Sequence, residues 1–147
     1  MNRPSQDQYF MSMAKLVSTR SNCYKRQVGC VLIDASNRVL STGYNGVPSG
    51  YPHCKEGECI RDGVSGSQLH LCVAIHAETN AIIQCKNSDR IHKAYITASP
   101  CLPCTVMLLN TPCYEVIYMA EYPGIEQSEA TWKSCNRLWK EFIGDLL

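Results

Sequence analysis

The pattern of apolar and polar positions predicts a chain that begins with a helix and a hairpin and then alternates helices with strands. Apolar residues recur at helical spacing from Gln6 to Ser18, which predicts an amphipathic helix. The apolar run from Gly29 to Ile33 predicts a strand, and turn residues at 34–37 lead into a second strand from Arg38 to Thr42. The elements predicted further along are a helix from Val73 to Lys86, a strand from Lys93 to Thr97, a helix from about Ser99, a strand from Glu115 to Met119, and a last helix from Ser128 with an apolar stripe through Trp132, Cys135, Leu138, Trp139 and Phe142.

This order of elements predicts one three-layer α/β/α domain over residues 1–147. Helices that alternate with strands after a hairpin imply that part of the sheet is parallel and covered by helices. We therefore expect a mixed central sheet of four to five strands. Between Asn45 and about Cys72 the chain is rich in glycine and cysteine and lacks periodicity, which is typical of a functional or pinned insert.

Composition excludes several classes of protein. Fourteen basic and 13 acidic side chains give a net charge of +1. This charge produces no positive electrostatic field that would attract a nucleic acid. No apolar run approaches the roughly 20 residues of a membrane span, and the first ten residues lack the apolar core of a signal peptide. Ten cysteines without an export signal favour metal binding or catalysis over disulfides. We therefore expect a reduced, cytoplasmic protein without a membrane or nucleic-acid partner.

The strongest chemical motif combines His76-Ala-Glu78 with Pro100-Cys-Leu-Pro-Cys104, each at the start of a predicted helix. Two thiolates (Cys101 and Cys104) and the His76 imidazole supply three zinc ligands and leave a fourth position open. Glu78 stands roughly 200° around a helix from His76, so it can reach a substrate instead of the ion if the helix begins there. H-x-E followed by P-C-x-x-C is the signature of the zinc deaminases.

Other readings of the same residues exist. Taken alone, Cys101 and Cys104 also fit a redox pair or half of a structural zinc finger. A redox pair leaves His76 and Glu78 unexplained. A noncatalytic zinc module that binds a partner has no use for a carboxylate beside an open coordination position. The full set of four residues therefore favours a catalytic zinc site.

The chain resembles the cytidine deaminase superfamily and, within it, the deoxycytidylate (dCMP) deaminases of bacteria and phages. The resemblance runs from about Gln6 to Glu129 and rests on four motifs, which are Val28-Gly-Cys-Val-Leu-Ile33, Gly43-Tyr-Asn-Gly46, Ile75-His-Ala-Glu-Thr-Asn-Ala81 and Ser99-Pro-Cys-Leu-Pro-Cys104. It implies a cytidine-deaminase-like fold and zinc-dependent hydrolysis of dCMP to dUMP and ammonia, which supplies dUMP for thymidylate synthesis. Glu78 would then be general base and general acid. The alternative is a deaminase of another cytosine nucleotide or nucleoside.

The resemblance also suggests residues that bind the substrate or an effector. Within the box formed by Gly43, Tyr44, Asn45 and Gly46, the asparagine is expected to contact the nucleotide, although a tight turn explains the box equally simply. Tyr122 matches a position near the substrate phosphate, and a mere lid is the alternative. Lys25 and Arg26 would serve a triphosphate effector or form a solvated basic pair.

Relatives of this kind are commonly homohexamers that dCTP with Mg²⁺ activates and dTTP inhibits, and we expect the same here. They usually carry a fifth strand after the last helix. In this chain only Gly144 to Leu147 follow the predicted helix, which puts that edge of the sheet in question.

A second, structural zinc is expected in the insert. Its candidate ligands are Cys23, Cys54, Cys59 and His70, with His53 or Cys72 as possible substitutes. The alternative is a zinc-free loop with reduced thiols. The cysteines that need no function are interpreted as small buried apolar side chains and are Cys30, Cys85, Cys113 and Cys135.

Overall fold

Ten elements of secondary structure follow one another along the part of the chain that the computed structural model describes, residues 1–56, 59 and 71–147. In chain order they are α1 (Gln6–Ser18), β1 (Gly29–Ile33), β2 (Val39–Tyr44), α2 (Ala77–Gln84), a 3₁₀ turn (Ser88–Arg90), β3 (Lys93–Ala98), α3 (Leu102–Leu109), β4 (Glu115–Ala120), α4 (Glu126–Ser134) and β5 (Leu138–Glu141). No helix among these residues combines the length and the apolar character needed to cross a bilayer.

The strands form one mixed sheet in the order β2-β1-β3-β4-β5. Strand β1 is antiparallel to β2 and β3, whereas β3, β4 and β5 run parallel to one another. Helix α1 packs on one face of this sheet, and α2, α3 and α4 contribute to the apolar core on the other. The predicted three-layer α/β/α architecture is therefore confirmed.

Strand β1 contributes side chains to the apolar core on both faces of the sheet, and all five of its residues are buried. Cys30 and Leu32 join the core beneath α2, α3 and α4, while Val31 and Ile33 join the core beneath α1. A strand covered on both faces needs a continuous apolar run, which is why β1 shows no polar alternation.

The hairpin turn between β1 and β2 is held by one carboxylate. Asp34 Oδ1 accepts hydrogen bonds from the backbone N–H groups of Ser36 and Arg38, both at 2.9 Å. Asn37 adopts a φ of 61°, a left-handed conformation that asparagine tolerates better than most residues. The turn predicted at 34–37 is confirmed.

The prediction for the C-terminal end of the chain is wrong. Helix α4 ends at Ser134, Asn136 takes a φ of 58°, and Leu138–Glu141 forms the fifth strand, parallel to β4. Trp139 joins the core beneath α2, α3 and α4, whereas Phe142 packs on the α1 side. The two apolar side chains therefore belong to opposite faces of a sheet and not to one helical stripe.

The cysteines outside the candidate metal sites follow the prediction in part. Cys30 and Cys113 are buried and Cys85 is half-buried. Cys135 is exposed immediately after α4, because the helix ends there and the chain turns away into β5. The interpretation of Cys135 as a buried apolar side chain is therefore wrong.

Candidate zinc site and substrate cavity

Two of the three candidate zinc ligands stand directly before a helix. His76 precedes α2 and Cys101 precedes α3, and neither side chain caps its own helix. Helix α2 begins at Ala77, four residues later than predicted, because the backbone of Ile75 pairs with that of Gly46 (N–O distances of 2.8 and 3.1 Å). This pairing keeps the backbone extended up to His76. The His76 ring, which does not cap the helix, is therefore available to bind a metal ion.

The structure brings the three predicted ligands together. His76 Nδ1 lies 3.4 Å from Cys101 Sγ and 3.3 Å from Cys104 Sγ, and all three ligand atoms lie within 4.8 Å of one another. A tetrahedral zinc ion with Zn–S near 2.3 Å and Zn–N near 2.0 Å separates such atoms by about 3.5–3.8 Å. The donor set and its spacing therefore fit zinc.

The two thiols at the start of α3 do not ionise independently. A hydrogen bond from Cys104 lowers the pKa of Cys101 to about 4, and a hydrogen bond from His76 contributes to the same shift. The same interaction between the thiols raises the pKa of Cys104. Zinc binds cysteine as thiolate, so this arrangement favours the ionised form at Cys101, whereas Cys104 holds the shared proton.

Glu78 lies in the first turn of α2 and is 4% exposed. Because the helix begins at Ala77, the condition that lets this carboxyl reach a substrate is met. Burial raises the pKa of Glu78, and the Cys104 thiol is among its hydrogen-bond partners. A buried carboxyl beside an open metal position can hold a proton and pass it on.

Two of the three candidate zinc ligands, His76 and Cys101, line a cavity of about 490 Å³ that Glu78 also lines. Arg26 and Tyr122 line the same cavity, and the Arg26 guanidinium stacks 3.6 Å from the centre of the Tyr122 ring. The loop that carries Tyr122 is fixed by a hydrogen bond of 2.9 Å from the Tyr122 backbone N–H to Ser99 Oγ. One cavity thus combines two candidate zinc ligands, a buried carboxyl and a cation that stacks on an aromatic ring.

The Gly43–Gly46 box divides into packing residues and one cavity residue. A Cβ on Gly43 would meet the backbone of α2, and a Cβ on Gly46 would lie 2.5 Å from Asn22 Oδ1, so both glycines allow close approach. The Tyr44 carbonyl accepts a hydrogen bond from Asn80 Nδ2. Asn45 lines the cavity but is 8% exposed.

Three cysteines act electrostatically on Cys54, a candidate ligand of the predicted second site. The pKa of Cys54 is raised first by burial and then by the charges of Cys23, Cys59 and Cys72. Cys23 and Cys72 also line the cavity. The predicted ligand His70 lies outside the described residues. His53 and Lys25 are both exposed.

Sequence reasoning did not place three of the cavity-lining residues in the cavity. Ser99 anchors the Tyr122 loop, although its only signal was its position next to the Pro100 motif. Cys72 was considered only as a substitute metal ligand, and Ser128 at the start of α4 was not considered. Arg26, predicted to serve a triphosphate effector or to belong to a solvated basic pair, is exposed and lines the same cavity as His76 and Cys101.

Comparisons with known proteins give a consistent result. The family model described as the cytidine and deoxycytidylate deaminase zinc-binding region matches residues 4–120. A deoxycytidylate deaminase of Mycobacterium phage D29 is 37% identical over 130 residues, which cover 82% of this chain and 99% of the relative. The dCMP deaminase of cyanophage S-TIM5, solved in complex with dCMP and dUMP, superposes with a TM-score of 0.77 at 28% identity and covers 97% of this chain and 100% of its own.

A fungal relative is longer. The deoxycytidylate deaminase of Schizosaccharomyces pombe is 44% identical over 125 residues, which make up 82% of this chain but 38% of the relative. The chain thus spans well under half the length of that protein, whereas it matches the two phage proteins over almost their whole length. The family match covers most of the chain and includes all four residues of the zinc motif. The chain belongs to the cytidine and deoxycytidylate deaminase family.

Proposed function

We propose that this chain is a zinc-dependent deaminase that hydrolyses dCMP to dUMP and ammonia. The observation that carries the proposal is the single cavity in which His76, Cys101, Glu78 and Arg26 all take part. The three-ligand set and the carboxyl suit hydrolysis of an amino group on a pyrimidine ring. The cation suits a substrate that carries a phosphate.

His76, Cys101 and Cys104 would hold zinc, which when bound supplies a Lewis acid that makes a water molecule nucleophilic at neutral pH. Glu78 would accept the proton that this water releases and deliver it to N3 of the cytosine ring. The reaction forms one C–O bond at C4 and breaks the C–N bond there. The same carboxyl would then take the second proton from the hydroxyl group on C4 and pass it to the amino group, which leaves as ammonia while the C4 carbonyl forms.

Arg26 supports a nucleotide as substrate in preference to a nucleoside. Arg26 is exposed but lines the cavity, and its guanidinium stacks on the Tyr122 ring in a cation–π contact. A nucleotide phosphate in the cavity could pair with this cation, whereas a nucleoside has no group that could do so. The noncatalytic alternative, a zinc module that binds a partner, gives no reason for a carboxyl as deeply buried as that of Glu78.

The test is ammonia release from dCMP, CMP, deoxycytidine and cytidine by the zinc-loaded protein. We expect the highest kcat/KM with dCMP, and Arg26→Met is expected to raise KM for dCMP more than KM for deoxycytidine. A preference for deoxycytidine would overturn the nucleotide assignment. No ammonia from any of the four substrates, with zinc bound, would favour the noncatalytic module.

A second zinc site is part of the proposal. Its ligands would be Cys23, Cys54 and Cys59, with His70 or Cys72 as the fourth. The zinc ion would link the insert to the segment that precedes β1. The contribution of Cys23, Cys59 and Cys72 to the raised pKa of Cys54 supports this assignment. Metal analysis should give two zinc ions per chain and one for Cys54→Ser, while the exposed Cys135→Ser control should keep two.

Regulation and assembly follow the resemblance. We expect a cytoplasmic homohexamer that supplies dUMP for thymidylate synthesis, with activation by dCTP plus Mg²⁺ and inhibition by dTTP. Lys25, exposed next to Arg26, would serve the triphosphate. Initial rates with each effector and the mass of the particle by light scattering test these points.

A further inference from the structure

We propose that Ser128 is a specificity residue that contacts the substituent on C5 of the cytosine ring. On this basis the chain deaminates dCMP that carries a hydroxymethyl group on C5 in preference to dCMP that carries a methyl group there. The inference rests on the proposed function, since it uses the orientation that Glu78 gives to the base. It adds a class of substrate to that function, the cytosine nucleotides with a small polar group on C5.

Ser128 differs from the other buried serines in the described part of the chain. The hydroxyl groups of Ser18, Ser41 and Ser99 each form a hydrogen bond with a backbone group. Ser128 is 1% exposed, yet its hydroxyl group has no hydrogen-bond partner among the described residues. Because a buried hydroxyl group without a partner is costly, its position in a cavity indicates that a molecule in the cavity supplies the missing bond.

The oxygen of Ser128 is open to the cavity that contains His76 and Cys101. Ser128 lines this cavity together with Glu78. Within residues 1–56, 59 and 71–147, the fully enclosed side-chain nitrogen or oxygen without a partner is Trp139 Nε1. The Ser128 oxygen, which also has no partner, is therefore not sealed in the core, and a molecule in the cavity can reach it.

The order of the helices places Ser128 across the cavity from Glu78. Helix α2 packs on β2 and β1, whereas α4 packs on β5 at the opposite edge of the sheet. Helix α3 lies between them, since it packs on α4 and contacts α2 through Met107 and Thr79. Glu78 belongs to the first turn of α2 and Ser128 to the first turn of α4, so the two residues line the cavity from opposite sides.

The proposed reaction determines which edge of the cytosine ring faces α4. Glu78 delivers a proton to N3, so the N3 edge of the ring faces α2. The atoms N3 and C5 are the two ring neighbours of C4 and lie on opposite sides of it. The C5 edge therefore faces away from α2 and towards Ile125 and Ser128 on the side of α4.

The Ser128 hydroxyl group suits a polar substituent at this edge. A hydroxymethyl group on C5 can form a hydrogen bond with it, whereas a methyl group would displace water from the hydroxyl and leave it without a partner. A site that hydrogen-bonds a hydroxyl group of its substrate discriminates against the analogue that lacks this group. The reaction at C4 is unchanged, and its products are 5-hydroxymethyl-dUMP and ammonia.

The test compares kcat/KM of the zinc-loaded protein for 5-hydroxymethyl-dCMP with kcat/KM for 5-methyl-dCMP. We expect the wild-type protein to favour the hydroxymethyl substrate about tenfold, and Ser128→Ala to lower this ratio about tenfold. The substitution removes a hydroxyl group that has no partner and introduces a residue that favours helix. We therefore expect the variant to fold and to keep the Tm of the wild-type protein.

Ser41→Ala is the matched control. Ser41 is also a buried serine, but its hydroxyl group donates a hydrogen bond of 2.7 Å to the carbonyl of Ala81. We expect this variant to have a lower Tm and an unchanged ratio of kcat/KM for the two substrates. An equal fall of the ratio in Ser41→Ala and Ser128→Ala would overturn the inference, because it would assign the effect to general loosening of the fold.

Three further outcomes would also overturn the inference. The first is a wild-type protein that deaminates dCMP but does not favour the hydroxymethyl substrate over the methyl substrate. The second is a ratio that Ser128→Ala leaves unchanged, and the third is an equal loss of kcat/KM for dCMP and both substituted substrates. A wild-type protein that does not deaminate dCMP overturns the proposed function instead, so the two failures are distinguishable.

Discussion

Replacing Gly43 by alanine should damage the catalytic centre from a distance. Gly43 lies in β2, where this strand packs on α2, the helix that follows His76 and contains Glu78. A Cβ on Gly43 would lie 2.3 Å from the carbonyl oxygen of Ala77 and 2.3 Å from the backbone nitrogen of Ala81. Both neighbours are backbone atoms of the helix, so the conflict cannot be relieved by turning a side chain.

The size of the effect follows from these distances. Ordinary contact begins at 3.4 Å, so β2 and α2 must separate by about 1 Å to admit the methyl group. Overpacking of this kind costs about 2 kcal/mol of unfolding free energy, which corresponds to a fall in Tm of roughly 6 °C for a chain of this size. A displacement of about 1 Å in a catalytic group lowers the rate by about 100-fold.

The assay combines kcat/KM for dCMP, zinc content and the midpoint of thermal unfolding for Gly43→Ala. Gly46→Ala is the comparison, because the atoms nearest its Cβ belong to the end of the Asn22 side chain, which can turn away at the cost of its hydrogen bond from the Val47 N–H. We expect Gly43→Ala to be the more severe on all three measures. If it keeps the wild-type Tm and zinc content and loses only substrate binding, Gly43 serves the nucleotide and the packing argument is refuted.

Three further predictions concern catalysis, the core and pH. Glu78→Gln should keep zinc and lose activity by about 10²–10⁴-fold, and substantial activity with zinc bound would contradict its role. Arg137 donates to the carbonyls of three residues after or at the end of α3 (Leu109, Thr111 and Cys113), so Arg137→Met should cost about 2 kcal/mol in urea unfolding, whereas the exposed Arg90→Met should cost almost nothing. Burial opposes ionisation of Asp7, but hydrogen bonds from Lys140 and Tyr95 outweigh it and lower its pKa. The stability from this carboxylate is therefore present above its unfolded pKa and lost as pH falls through the lower folded value. Asp7→Asn should make the free energy of unfolding, measured by urea titration, fall less steeply with decreasing pH in this acidic range. An unchanged pH dependence would exclude the contribution.

Elements encoded by short-range signals were predicted closely. Helix α1 and strand β1 have the predicted bounds, because a helical stripe and a continuous apolar run each suffice to specify them. The candidate zinc ligands could be predicted equally well from the sequence. His76 and Cys101 each stand at the start of a helix, in a motif that spans only a few residues.

The end of the chain could not be predicted in this way. The apolar spacing between Trp132 and Phe142 suits a helix, and only contacts with distant residues decide otherwise. Strand β5 pairs with β4, and Trp132 Nε1 donates a hydrogen bond of 2.7 Å to the carbonyl of Leu138 across the turn. The pairing of β5 with β4 joins segments that lie next to each other only in the folded sheet.

The cavity shows the same division between local and long-range information. The groups proposed for the chemistry belong to two helix starts, so a sequence motif records them. The groups proposed for the phosphate, Arg26 and Tyr122, come from segments almost a hundred residues apart in the chain and meet only through the stacking of one side chain on the other. Asn45, from a third segment, lines the same cavity and donates a hydrogen bond to the backbone carbonyl of Arg26. The deamination motif can therefore stay intact while substitutions in these three segments change which cytosine compound is accepted, and a change of substrate should be sought there and not among the zinc ligands.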